Sequence, residues 1–300
     1  MYSECVRNNI HNLIGLYCYI CEAYDSRLHV NVQRLRNNNR PQFTDAEVLT
    51  VYLWGLSQRL LTLRAIHEFT KAHLLDWFPD IPSYQAFARR LADLNPALME
   101  IVEVLVEGNG SDTSAPCLLD SMPVIVGQTR RRRALRSARG LCDIGYCATK
   151  QLHYYGVKLS VLGRSRAGTI PSLTMFAISP ANESDITLGR EILANESDLR
   201  VFADRGYHSA SWQQELALRN VILHTPPKRQ RNSPPLTDAQ RSRSRFISSV
   251  RQPIESFFAF LHSRFRLHDA SSVRSVKGLI SFVCGRLAAA LLLSYPFFNP

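Results

Sequence analysis

Residues 108–116 separate two different sequence patterns. Gly108, Gly110, Ser111, Thr113, Ser114 and Pro116 fall in this stretch, a composition that belongs to a linker. Upstream, apolar residues recur at helical spacing. Downstream, they alternate or run in short blocks between turn residues, as strands do. Such a chain cannot be one helical bundle or one β-sandwich. It predicts an all-helical domain over residues 1–112 and an α/β domain over 113–300, a mixed sheet flanked by helices.

In the first part, Thr44-Asp45-Ala46-Glu47 has the form of a capping box ahead of the apolar run 48–56. Ser83 can cap a second helix, on which Tyr84, Phe87, Ala88, Leu91 and Leu94 make an apolar stripe while Arg89 and Arg90 lie off it. Residues 44–95 suit a helix-turn-helix-like DNA-binding module and a plain helical scaffold equally well. In the second part, strands are expected at 117–126, 154–162, 169–178, 200–203 and 221–224. Helices are expected at 185–193, capped by Asp185, and at 210–219. A polar stretch follows, and two further helices, at 249–265 and 276–294, close the chain. Asp112 and Asp143 read as loop acids.

Three carboxylates stand out. Asp120 interrupts the apolar run "LLDSMPV" at 118–124, and a charge in a buried strand costs several kcal/mol unless it is paired. Asp204, in "VFADRGYHS", follows a strand and precedes a turn, where α/β sheets place ligands. Glu255, in "RQPIESFFAFLHSRF", lies beside the stripe Ile254, Phe258, Leu261, Phe265, on one edge with Arg251 and His262. Ser249-Val250-Arg251-Gln252 offers a capping box for that helix, with Pro253 in its first turn. Two strands and a helix carrying acids suit a hard divalent cation, Mg²⁺ or Mn²⁺. Two such ions about 4 Å apart serve phosphoryl transfer without a covalent nucleophile. Each acid taken alone also suits a cap, a salt bridge or a turn.

The charge balance points to the partner. A formal net charge of +11 favours a polyanion, of which nucleic acid is the common one. Arg130, Arg131, Arg132 and Arg133 follow the Asp120 strand directly and could hold DNA phosphates. Residues 228–251 hold seven basic residues against Asp238 alone.

These segments, in this order, resemble the DDE transposases of bacterial insertion sequences: "LLDSMPV", "YYGVKLSVL", "FADRGY" and "RQPIESFFAFLHSRF". The insertion-sequence 982 family is the nearest, within the broader IS-four-like group. "FTDAEVLTVYLWG" and "SYQAFARRLADL" resemble that family's helical region, so the likeness covers about residues 44–294. It implies an RNase H-like catalytic domain in which Asp120, Asp204 and Glu255 are the catalytic, metal-binding triad. The short interval between Asp204 and Glu255 leaves little room for the insertion domain of some relatives. The broader group carries a tyrosine and an arginine before the glutamate and a lysine after it. Arg251 matches the arginine; Ser248 stands at the tyrosine position and His262 at the lysine position, with Arg264 close by as a permanent cation. Lys158 resembles a family lysine and could reach DNA or cover the sheet edge.

The resemblance implies a transposase that binds terminal inverted repeats, cleaves a strand and transfers it, acting as a homodimer on DNA. A nuclease without strand transfer and a catalytically inactive DNA-binding repressor remain alternatives. Seven cysteines without disulfide-like spacing read as reduced thiols. The run 278–298 could span a bilayer but carries Arg286, and reads as a buried helix. A bacterial, cytoplasmic protein with no membrane partner is expected.

Overall fold

The computed structural model describes residues 2–29, 41–108, 112–128, 137–147, 151–166, 170–227 and 235–294. The chain divides into two compact units, one of residues 1–105, 261–267 and 273–300, the other of residues 106–260 and 268–272.

The first unit is helical. It contains α1 (Tyr2–Ala23), continued by a π turn (Tyr24–Leu28), then α2 (Asp45–Ser57), α3 (Leu63–His73), α4 (Tyr84–Asp93), most of α5 (Asn95–Gly108) and the late helix α9 (Val276–Leu292). The capping box of α2 forms as its sequence predicts: the Thr44 hydroxyl accepts from Glu47 N–H and the Glu47 carboxylate accepts from Thr44 N–H. Nearly all of α2 is buried, which explains its apolar residues on every side. Gly285 of α9 admits the Tyr52 ring, since a Cβ there would lie 2.3 Å from it. Arg90, off the α4 stripe, is tied down by Asp45 at 2.8 Å and by the Phe43 carbonyl. Among the described residues no helix is long and apolar enough to cross a membrane. Arg286 stays in its apolar helix because its N–H groups donate to the carbonyls of Phe265, Leu61 and Phe282.

The second unit is a mixed α/β sheet flanked by helices. Its strands are β1 (Cys117–Gln128), β2 (Asp143–Cys147), β3 (Leu152–Arg164), β4 (Ser172–Pro180), β5 (Arg200–Ala203) and β6 (Ile222–His224). Its path runs β2-β3-β1-β5-β6. One edge of β3 takes β1; the other takes β2 beside residues 152–156 and β4 beside residues 157–164, all antiparallel. The β1–β5 and β5–β6 pairings are parallel. Parallel neighbours need crossovers, and α6 (Asp185–Ile192) and α7 (Ala210–Ala217) supply them. These helices cover one face, burying Cys117, Leu119, Val201, Ala203, Trp212 and Leu216 in a common core.

Three expectations are corrected. Strand β2 was not expected; it places Asp143 at the start of a strand and not in a loop, where it accepts from Asn182. The cap of α6 is Ser184, whose hydroxyl accepts from Thr187 N–H, and Asp185 is the first helical residue. Helix α8 spans Asp238–Phe265 and starts well before residue 249. Its first turn is held by Thr237 and Gln240: Gln240 N–H donates to the Thr237 hydroxyl and Thr237 N–H to the Gln240 side chain. Ser249 is interior, its hydroxyl bonded back to the Phe246 carbonyl. Pro253 is accommodated inside the helix.

Candidate active site

Strand register brings the first two acids together. Leu118 pairs with Phe202 and Leu119 with Ala203 across β1 and β5. The next residue on each chain is Asp120 and Asp204. Because strand side chains alternate, Asp120 follows Leu118 onto the face away from the Leu119 and Ala203 core. Asp204 is extended, at φ −70° and ψ 170°, so it continues the alternation and follows Phe202. Helix α8 lies on that face. Phe246 meets the Phe202 ring at 6.1 Å, and Arg251 and Glu255 follow about one and a half and two and a half turns later.

Arg251 links all three acids. Its Nη2 lies 2.7 Å from Asp120 Oδ2, and its Nη1 lies 3.8 Å from Asp204 Oδ1 and 3.6 Å from Glu255 Oε1. The side chains of Arg251 and Asp120 are 7% and 17% exposed, those of Asp204 and Glu255 59% and 48%. The site therefore has a buried floor and an open rim. Asp120 also accepts from Ser121 N–H at 2.9 Å. Burial pushes the Asp120 carboxyl up to about 6, against the opposing pull of Arg251 and that N–H.

Oxygen-only donors in carboxylates suit a hard divalent cation. By donor chemistry Asp120, Asp204 and Glu255 fit one, and they already converge on a cation, the Arg251 guanidinium. As they stand, no group of three His, Cys, Asp or Glu side chains among the described residues is placed to hold a metal ion.

The other expected contact residues are placed as follows. Lys158 sits opposite Pro123 while Asp120 sits opposite Val161, so alternation puts Lys158 on the other face of the sheet from Asp120. Its ammonium donates to Asp185 at 2.9 Å and to the Glu183 carbonyl at 2.7 Å. Arg264 donates to the Ser57 carbonyl within the helical unit, and His262 is exposed near the end of α8. Arg130, Arg131, Arg132 and Arg133 lie outside the described residues.

Sequence reasoning missed a polar group behind the acids. Ser121, beside Asp120, approaches Asp185 at 3.5 Å, and Tyr207, three residues past Asp204, is buried in the core on that side. A Cβ on Gly206 would lie 2.6 Å from Asp185 Oδ2, so the glycine lets the carboxylate come close. The "DRGY" spelling was the available signal, a glycine between two ordered side chains.

Residues 116–292, more than half of the chain, match the transposase DDE domain family. This chain belongs to that family. A 77-residue segment of it is 36% identical to the transposase for insertion sequence element IS1106 of Neisseria meningitidis serogroup B. The matched segment spans only 26% of each of the two proteins. The DDE domain match begins just before β1 and ends at the close of α9, so it contains both candidate aspartates and the candidate glutamate.

Proposed function

We propose that the protein is a DNA transposase that binds the terminal inverted repeats of its own element, cleaves a strand at each end and joins it to target DNA. The observation that carries this reading is the convergence of Asp120, Asp204 and Glu255 on a single cation in a domain of the DDE family. In this reading residues 1–112 are a DNA-binding domain and 113–300 an RNase H-like catalytic domain. The antiparallel strands on one side of β1 and the parallel ones on the other support that fold.

Asp120, Asp204 and Glu255 would hold Mg²⁺ or Mn²⁺, two ions in all. Bound there, the metal supplies charge for activating the attacking oxygen and stabilising the leaving one. Asp120 lies at the more buried end of the site; Asp204 and Glu255 stand at the rim, where a strand can enter. Cleavage adds water across a phosphodiester, leaving a 5′-phosphate and a free 3′-OH. In transfer, that 3′-OH forms a bond to a target phosphorus and a target 3′-oxygen departs with the proton. Helix α8 offers a basic approach: Arg241, Arg243 and Arg245 are exposed on its first turns. Two ends must be held at once, which calls for a homodimer on DNA.

The test uses a labelled duplex carrying the repeat that flanks the gene, with Mg²⁺ or Mn²⁺ and a target plasmid. The expected result is nicking at the repeat boundary and joining to the plasmid, both lost in Asp204→Asn while the duplex is still bound. Cleavage without joining would identify a nuclease. Binding without cleavage by the wild type would identify a repressor.

A further inference from the structure

We infer that Arg251 is a resident counter-cation, a positioning residue that holds the three carboxylates together without metal and must be displaced before a divalent ion binds. The inference rests on the reading of Asp120, Asp204 and Glu255 as metal ligands.

Three acids gathered without a cation would repel one another. Arg251 is the side chain that offsets this, with one Nη on Asp120 and the other facing both Asp204 and Glu255. Its position is dictated locally. Residues i and i+4 are neighbours on a helix, so Arg251 lies beside Glu255, and α8 delivers both to the strand face that bears the aspartates. The guanidinium is therefore built into the floor and is not a chance surface partner.

Two features make this arrangement a resting state. The contacts are uneven: 2.7 Å to Asp120, but 3.6 and 3.8 Å to the rim acids, which is attraction without hydrogen bonding. Arg251 Nε is buried with no hydrogen-bond partner among the described residues. A guanidinium whose donors are only partly satisfied loses less on leaving than one fully bonded. A divalent ion with short carboxylate contacts can replace it at the rim, while Asp120 is the contact it must compete for. Metal binding and the Arg251 contacts thus exclude each other, and Arg251 raises the metal concentration at which the site fills.

The test is a Mn²⁺ titration of the whole, DNA-free protein, read by thermal unfolding and by water-proton relaxation. Wild type, Arg251→Met, Arg251→Lys and Asp204→Asn are compared. Arg251→Met is expected to fill at about tenfold lower Mn²⁺, the size of effect that neighbours of metal ligands commonly exert. Arg251→Lys, which keeps a charge without the two-pronged reach, should fall between. Without metal, Arg251→Met should melt below wild type, and saturating Mn²⁺ should narrow that gap. A residue that merely packed would leave the gap the same with and without metal. Equal filling midpoints for wild type and both Arg251 variants would overturn the inference, and so would tighter binding by the wild type. If Arg251→Met does not fold, the Lys variant decides alone. If Mn²⁺ binding proves indifferent to Asp204→Asn, the ligand assignment has failed and this inference with it. The transposase reading is judged separately, by the cleavage and joining assay.

Discussion

Asp120 and Asp204 each stand one residue past the last paired rung of two parallel strands, Leu119 opposite Ala203. Their proximity is thus a property of backbone register and does not depend on side-chain rotamers. Moving Asp120 by one residue would send it to the opposite face, and moving Asp204 on by one would carry it into the 3-10 turn Arg205–Tyr207. Asp204→Asn should therefore leave the fold intact and lower strand cleavage by at least about 100-fold, beyond what the loss of a metal ligand's neighbour costs. Moving the acid, with Asp204→Ala and Arg205→Asp combined, should not restore activity. Recovery in that double variant would show that register does not position the acid.

The buried acid carries a pH signature. Burial raises Asp120 from 3.8 to about 6. A carboxyl whose folded pKa lies above its unfolded one binds protons more tightly in the native state, so stability falls as pH rises from about 4 through about 6. At neutral pH the ionised form costs on the order of 3 kcal/mol. In metal-free buffer, Asp120→Asn should be more stable than wild type at pH 7.5 by about 1–3 kcal/mol, with the advantage gone near pH 4. Urea unfolding across that range measures it. A less stable variant at pH 7.5 would mean that the Arg251 pair outweighs the burial.

Much of this was legible in the sequence, and the gaps have physical causes. β5 was placed at its true bounds because a short apolar run ends at a turn. β2 was missed because Ile144 and Tyr146, its alternating large residues, are exposed, so no buried period marks it. The start of α8 was missed because, before Arg251, Ile247 is the residue of its early turns that is buried, leaving no stripe to read. Two capping-box spellings compete there, Thr237 with Gln240 and Ser249 with Gln252, and spacing cannot rank them. Arg251 and Glu255 could be paired from helical spacing. The reach of Arg251 to both aspartates could not, since it depends on which face of β1 and β5 the helix covers.

The arginines of the first α8 turns should act on binding and not on chemistry. Arg241, Arg243 and Arg245 are exposed, and the acid nearby, Asp238, touches Arg241 at a loose 3.7 Å. For every DNA phosphate left without its arginine, the salt slope of DNA binding should fall by about 1. The triple alanine variant is expected to lower that slope by about 2–3 and to leave the thermal midpoint unchanged. An unaltered slope would assign these residues to an ordinary solvated face.

Lys158 gives the opposite expectation. Its side chain is 15% exposed and its ammonium is held by Asp185, whose side chain is 31% exposed. Lys158→Met leaves that carboxylate without its cation in a partly buried place and should cost about 1–3 kcal/mol. Adding Asp185→Asn should recover part of the loss, with a coupling of about 1 kcal/mol in the double-mutant cycle. The salt slope of DNA binding should stay as in wild type. A slope reduced by about 1 would place Lys158 on a phosphate instead.

Arg286 tests why a charge sits in the most apolar helix. Its guanidinium binds the carbonyl of Phe265, the last residue of α8, and those of Leu61 and Phe282. Its ring contact with Phe282 is close, at 3.5 Å. The final carbonyls of a helix have no partner within it, so Arg286 ends α8 as a cap would. Leucine would suit the apolar surroundings but would strand the Phe265 and Leu61 carbonyls, while that of Phe282 keeps its partner within α9. Arg286→Leu should therefore lower stability by about 3 kcal/mol or more, despite being the more hydrophobic residue. Arg286→Lys keeps the charge but not the fork, and should lose less. Urea midpoints rank the three proteins; an Arg286→Leu protein as stable as wild type would show that burying the charge costs as much as its carbonyl bonds return.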